Sequence, residues 1–233
     1  MTITESTTVA EVATAIPSSV RVLQRHGIDF CCGGKRPIGE ACREQGVSFR
    51  ELATAIDASI PAAPSRHDWP HEALHALIAH IIATYHEPLR EDLPRLTAMA
   101  DKAVRAHGAK APFLLRLREI VGELTQDLTD HMHKEELVLF PTIRALEAGD
   151  RSHADWIAQP IAVMEQEHDR AGALLAELRQ LTAGYEPPPW ACATVRALYQ
   201  GLAEVEASMH VHVHLENNIL FPRANAIAGT KPS

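Results

Sequence analysis

His131-x-x-x-Glu135 and His212-x-x-x-Glu216 are the residues of this chain whose types and spacing ask for chemistry. On a helix, positions i and i+4 lie one turn apart on nearly one face, so each His and Glu can reach a common point. A carboxylate turned into an apolar interior is expensive to bury unless a cation meets it. Two facing carboxylates also repel each other. The pattern therefore predicts a metal site. His86 and His168 occupy interior positions of two other helical segments, which brings the set to four imidazoles and two carboxylates. A closed structural zinc site would favour four ligands, usually with Cys. Nitrogen and oxygen ligands suit Fe or Mn, and redox chemistry favours Fe. With Glu135 and Glu216 bridging, two ions would keep open positions for a small ligand such as O2, NO or peroxide.

Four long amphipathic segments must position these residues. Helix A is expected from about Trp69 to His107, kinked or interrupted at Pro88 and Pro94. Helix B runs from near Pro112 to near Gly149, helix C from around Pro160 to Gly184, and helix D from Pro189 to about Phe221-Pro222. Apolar residues recur at alternating three- and four-residue steps along each. The helix A seam reads Ala79, Ile82, His86, Leu89, Leu93, Leu96, and that of helix C reads Ile161, Met164, His168, Ala171, Leu175, Leu178. Helix B contributes Leu114, Leu117, Val121, Leu124, Leu128, His131, Glu135, Val138. Helix D contributes Val195, Leu198, Leu202, Val205, Met209, His212, Glu216, Ile219. Short connections make this an all-α chain with an antiparallel four-helix bundle. Residues 131–141 and 212–222 match at six of eleven positions with an offset of 81, and His86 and His168 are offset by 82. Two helical hairpins related by a pseudo-two-fold axis account for both.

A Pro/Ala-rich stretch at residues 61–66 reads as a linker between an N-terminal unit (1–60) and the bundle (67–226), with 227–233 as a tail. The small unit is expected to hold two or three short helices, with little core of its own. One contains Val20 and Leu23, another covers Ile38 to Cys42, and a third Phe49 to Ile56. Between them lies Cys31-Cys32-Gly33-Gly34-Lys35. Adjacent cysteines make poor staples, and Lys35 would lower a thiol pKa. Cys31 and Cys32 are thus candidates for redox exchange, NO chemistry or metal hand-over, or else a buried pair in a tight turn. Cys42 and Cys192 are expected to serve packing. Among the remaining histidines, His133 and His214 should face solvent or a neighbour. His80 and His210 miss the seams, and Glu165, three before His168, stays open as a further ligand.

The 233 residues carry 22 Lys+Arg against 30 Asp+Glu, a net charge of −8, which argues against a general nucleic-acid binder. No run of 18 apolar residues exists to span a membrane, and no basic stretch followed by an apolar one suggests a leader. Four cysteines, two of them adjacent, suit a reducing cytoplasm. Fourteen histidines outnumber the 11 aromatics, which returns attention to metal.

These residues together resemble the RIC (repair of iron centres) family, the YtfE/ScdA type. The marks are Asp29-Phe30-Cys31-Cys32-Gly33-Gly34-Lys35, Tyr85-His86, the two His-x-x-x-Glu motifs each followed by Leu-Phe-Pro, and Met164-Glu165-x-Glu167-His168-Asp169. The resemblance implies a hemerythrin-like bundle behind a small ScdA-type helical domain. It implies a non-haem di-iron centre on His86, His131, Glu135, His168, His212 and Glu216. It further implies restoration of iron–sulfur clusters damaged by nitric oxide or oxidants, with apo or damaged iron–sulfur proteins as partners, in a monomer or homodimer. Asp127 stands where the family carries Glu. Reduction of nitrogen oxides, or O2 or NO binding and sensing, are the other functions such a centre would support.

Overall fold

A computed structural model describes residues 2–60 and 67–229; the linker expected at 61–66 lies outside the described residues. Every regular element among them is helical, apart from an isolated bridge between Thr8 and Pro37. The N-terminal unit holds α1 (Val9–Ala15), α2 (Ser19–Arg25), α3 (Ile38–Glu44) and α4 (Phe49–Ser59). That is one helix more than expected. Helix α1 opens on a capping box, in which the Thr8 hydroxyl accepts from the Glu11 N–H while the Glu11 carboxylate accepts from the Thr8 N–H. Val9, Val12, Leu23, Ile28, Phe30, Ile38, Leu52 and Ile56 close a real core, larger than the sequence suggested.

Helix A comprises α5 (Leu74–Ile81), a π-turn (Ile82–His86) and α6 (Glu87–His107). Helix B comprises α7 (Phe113–Lys134), a π-turn (Glu135–Leu139) and α8 (Phe140–Glu147). Helix C is the single helix α9 (Ala158–Leu181). Helix D comprises α10 (Ala193–Leu215), a π-turn (Glu216–Leu220) and α11 (Phe221–Ala228). Helix A thus starts later than Trp69. Helix D runs past Phe221-Pro222 to Ala228, where Gly229 closes it at a φ of 77°.

The three π-turns share a following proline, although a proline alone does not make one: Pro94 sits inside the uninterrupted α6, against the break expected there. Pro88, Pro141 and Pro222 each sit in the first turn after one, and a proline has no N–H for the regular ladder. The helix absorbs the missing bond by widening through one turn, a feature that gathers at functional sites. Helix C has no proline past its first turn and stays regular; all six of its expected seam residues are buried.

The widened turns also overturn part of the expected seams. Across an extra residue the three-four rhythm slips by one. Ala79 is exposed and Ile82 half-buried, while Leu77, Ile78, Ile81 and Tyr85 face inward instead. Val138 is 46% exposed, and Leu139 takes its place in the core. In helix D both Ile219 and Leu220 are buried.

The bundle core falls into two apolar clusters. One joins α6, the length of α7, the second half of α9 and α10, from Leu89 to Val213. The other joins α5, α8, the first half of α9 and α11, from Leu74 to Ala228. The six polar candidates lie where these clusters meet, at mid-height of the bundle.

Candidate metal centre

His86, His131, Glu135, His168, His212 and Glu216 are each at most 2% exposed. Their inward atoms form two overlapping groups. His86, His212, Glu135 and Glu216 make one, and His131, His168 with the same two glutamates make the other. Within each group the ligand atoms lie within 4.8 Å of one another. His86 Nε2 stands 3.1 Å from His212 Nε2, and His168 Nε2 stands 3.1 Å from His131 Nε2. Glu135 Oε2 is 3.4 Å from both His86 Nε2 and His131 Nε2. Glu216 is 3.1 Å from His212 Nε2 through Oε1 and 3.2 Å from His168 Nε2 through Oε2.

A cation fits this arrangement on three grounds. Both Glu135 carboxylate oxygens and Glu216 Oε2 are buried without an aligned hydrogen bond, an unfavourable state for a carboxylate unless an ion takes the donor's place. His131 and His168 both donate outward through Nδ1, so when neutral their Nε2 atoms, 3.1 Å apart, face each other as two lone pairs. Yet neighbouring ligands about 2.1 Å from one ion, at right angles, lie about 3 Å apart. Finally, each glutamate serves both groups, as a bridging carboxylate must.

Three of the four imidazoles are held from behind. His86 Nδ1 donates to Glu136 Oε1 at 2.7 Å, His131 Nδ1 to Glu167 Oε2 at 3.0 Å, and His168 Nδ1 to Asn217 Oδ1 at 2.8 Å. Placing the proton on Nδ1 leaves the Nε2 lone pair aimed at the site, the usual role of such partners around metal-binding histidines. Arg90 and Lys134 in turn pair with Glu136 and Glu167. Burial pushes Glu136 up, but the bonds from His86 and Arg90 more than offset this and hold it below the usual carboxylate value. The His131 bond, opposed by partial burial and aided by Lys134, brings Glu167 down to about 2. Both are therefore ionised acceptors at neutral pH.

Charge inside the site shows the same demand for a cation. Burial alone would lower His168, yet Glu216 and Glu135 raise it to about 9. His86 is raised by Glu135 and Glu216 against the same burial. Glu216, although buried, is driven well below 4.5 by His212 and His168. Burial wins at His212, which is lowered. A proton on His168 thus supplies positive charge that a metal ion would supply in its place, so metal uptake displaces it.

A cavity of about 160 Å³ opens beside the site between α7 and α9. It touches His131 and His168 and is rimmed by Asp127, Lys134, Glu167 and Arg170. Asp127 pairs with Arg170 at 2.8 Å across its mouth. Glu165 belongs to neither ligand group. His80 and His210 also stand apart from both, and His133 is exposed.

Cys31 and Cys32 sit in a tight turn, the second of the two arrangements open from the sequence. The loop is tied by Asp29, whose carboxylate accepts the Cys31, Cys32 and Gly33 N–H groups. Gly34 lies so near the Phe30 carbonyl that a Cβ would come within 2.7 Å of it. Cys31 is buried and wedged into the bundle core, with Cys32 packed beside it; all four cysteines are free thiols. Its bond to Cys32, burial and the Asp29 charge all raise the Cys31 thiol, so it stays protonated, against the lowering expected from Lys35. Cys192, expected to pack, is exposed at the start of α10. There the Val195 N–H and His107 bring it down to about 7.

Sequence reasoning also missed the supporting partners. Glu136 and Asn217 each follow a ligand glutamate directly, and Glu167 directly precedes His168; adjacency to the motifs was the available signal. His214 was expected to face solvent or a neighbour. It is buried, and with Asn218 it bonds the Phe30 carbonyl, tying the N-terminal unit to helix D.

Comparison with known proteins agrees with this architecture. Residues 77–224 match the hemerythrin HHE cation binding domain, and residues 5–59 match ScdA_N, a domain of unknown function. Proteins named iron-sulfur cluster repair protein YtfE, from Yersinia pseudotuberculosis serotype IB (strain PB1/+) and Yersinia pestis (strain Pestoides F), are each 40% identical over 213 residues. The alignment covers 91% of this chain and 94% of theirs. No helix among the described residues is long and apolar enough to cross a membrane. A buried His/Glu metal site inside an HHE bundle, behind a ScdA-type domain and in a chain so similar throughout, places this protein in the YtfE family.

Proposed function

We propose that the chain holds two iron ions on His86, His131, Glu135, His168, His212 and Glu216, and helps to restore iron–sulfur clusters damaged by nitric oxide or oxidants. The observation that carries this reading is the pair of overlapping four-ligand groups that share both glutamates. The relatives' name supplies the cluster-repair role. Bound there, iron would offer one-electron redox chemistry and open positions for NO or O2. Glu135 and Glu216 would be shared between the two ions, while Glu136, Glu167 and Asn217 keep three imidazoles turned inward. The charged mouth at Asp127, Lys134 and Arg170 serves as the polar route in and out. Of the thiol pair, the more accessible Cys32 is assigned to NO or metal hand-over, while the buried, protonated Cys31 packs. A reducing cytoplasm and apo or damaged iron–sulfur proteins are the setting and clients that follow.

Iron donation is tested by mixing anaerobic, iron-loaded protein with an apo [2Fe–2S] acceptor, sulfide and a mild reductant. The expected result is growth of cluster absorbance that fails in Glu135→Leu. Iron that stays on the chain while NO is turned over catalytically with a reductant would replace donation with nitrogen-oxide reduction.

A further inference from the structure

The pseudo-two-fold repeats even the surroundings of the site. Glu136 behind His86 corresponds to Asn217 behind His168, and Phe140 stacked on His86 corresponds to Phe221 stacked on His168. Among the groups hydrogen-bonded to the outer nitrogens of the four imidazoles, the match breaks at one place. The counterpart of Glu167, which accepts from His131, is Tyr85. Tyr85 makes no hydrogen bond to His212 and instead lies flat on its ring, with centroids 5.3 Å apart and planes 5° off parallel. His212 Nδ1 is buried with no partner. One imidazole of the site has thus given up its hydrogen-bonded support for an aromatic face.

From Tyr85 the ring contacts continue outward. Its ring meets His80 edge-on at 5.8 Å, His80 meets Trp69 at 4.7 Å, and Trp69 stacks on His67 at 4.3 Å. Tyr85 is buried, Trp69 half-buried and His67 exposed, so the row runs from the site to solvent. Ring contacts from the other three imidazoles, among the described residues, end on Phe140 and Phe221 or on one another. Chemistry separates the two kinds of neighbour. Tyr and Trp give up one electron at potentials that strong biological oxidants reach, and Phe does not. Electron transfer decays exponentially with the gap crossed, and rings in contact keep each gap short.

We infer that Tyr85 and Trp69 form a one-electron relay between the metal centre and the surface, letting oxidising equivalents leave the site before they attack its ligands. The inference rests on the metal reading above. The oxidant is hydrogen peroxide beyond what the ferrous ions consume: each molecule takes two electrons and two protons to give two waters. Tyr85 gives these electrons one at a time towards the site, and each time its phenolic proton passes to water in the cavity of about 330 Å³ that it lines with Trp69 and His80. Trp69 then gives one electron to the tyrosyl radical, which takes a proton back from that water. A soluble one-electron donor such as ascorbate reduces the Trp69 radical cation and restores the row.

The test uses the full chain loaded anaerobically with Fe(II), its iron content measured before a several-fold excess of hydrogen peroxide over iron is added without ascorbate. Freeze-quenched EPR and peptide mapping of oxidised side chains are the readouts, on wild type, Tyr85→Phe and Trp69→Phe. Wild type is expected to show a transient tyrosyl or tryptophanyl radical and oxygen added at Trp69. Tyr85→Phe, carrying the same iron, should lose the radical signal and move oxidation to His212. Trp69→Phe should keep a tyrosyl radical that lives longer. Iron-loaded wild type without a radical, or Tyr85→Phe with the wild-type signal and oxidation map, overturns the relay alone. Failure of wild type to take up iron overturns the metal reading and the relay with it.

Discussion

At the scale of single residues, the site is decided by what stands behind each ligand. Glu167 is ionised and pinned by Lys134, so it fixes the His131 ring with Nε2 inward. Replacing it by Ala should leave the fold intact and weaken metal affinity about 10- to 100-fold, the usual effect of losing such a partner. Competition with a chelator of known affinity measures this, and an unchanged affinity would remove Glu167 from the site. The thiols give a second test. Cys192 is exposed with its pKa at about 7, whereas Cys31 is buried and raised by Cys32, burial and Asp29. The thiolate is the reactive form. Iodoacetamide should therefore label Cys192 first, at a rate that rises through about pH 7, and Cys31 last. Early labelling of Cys31 in the folded protein would contradict its placement in the core.

At the scale of elements, the periodic pattern was readable wherever the helix stays regular. Every seam residue of helix C lies inside, because nothing interrupts its ladder. In helices A and B the same rule failed at Ala79 and Val138, since it assumes one period and the π-turns insert a residue. A proline was visible just beyond each, but an extra residue within a turn leaves no periodic mark. Helix α1 was missed although Thr8 and Glu11 spell its capping box. Contacts distant in sequence had no local signal at all. Glu147, at the end of α8, accepts the Leu74 and His75 N–H groups and so caps α5. Its partial burial raises its pKa, but the bonds from His75 and Leu74 more than offset this and hold it below 4.5. A carboxyl depressed in the fold contributes stability above its unfolded pKa and loses it as pH falls through the folded value. Glu147→Gln should then destabilise by about 1 kcal/mol at pH 7, the scale of a lost cap. The deficit should shrink in acid. Urea unfolding at pH 7 and pH 3 checks this, and a deficit independent of pH would show that charge is not involved.

At the scale of the whole molecule, the loop at Phe30 joins the two units, beside a bond from the Gln24 side chain on α2 to the Ala207 carbonyl on α10. Phe30 is 1% exposed, its ring edges onto His210 and His214, and its carbonyl accepts from His214 and Asn218. The loop that carries the thiols is thus anchored two residues from the proposed ligands His212 and Glu216. Phe30→Ala should cost about 3–5 kcal/mol at the N-terminal core. Amide exchange should also quicken on α10 near Val211. Exchange confined to the N-terminal helices would mean that docking does not depend on this side chain. All of this scaffold serves the shared-glutamate site, whose empty form would leave carboxylates facing one another in an apolar seam. The most direct test is the metal content of anaerobically purified chain, alongside a Glu135→Leu/Glu216→Leu variant shown to be folded. The expected result is about two iron ions per wild-type chain, as bundle cores of this kind hold, and close to none in the variant. Zinc in place of iron, or no stoichiometric metal after anaerobic Fe(II) loading, would contradict the di-iron centre and the chemistry built on it.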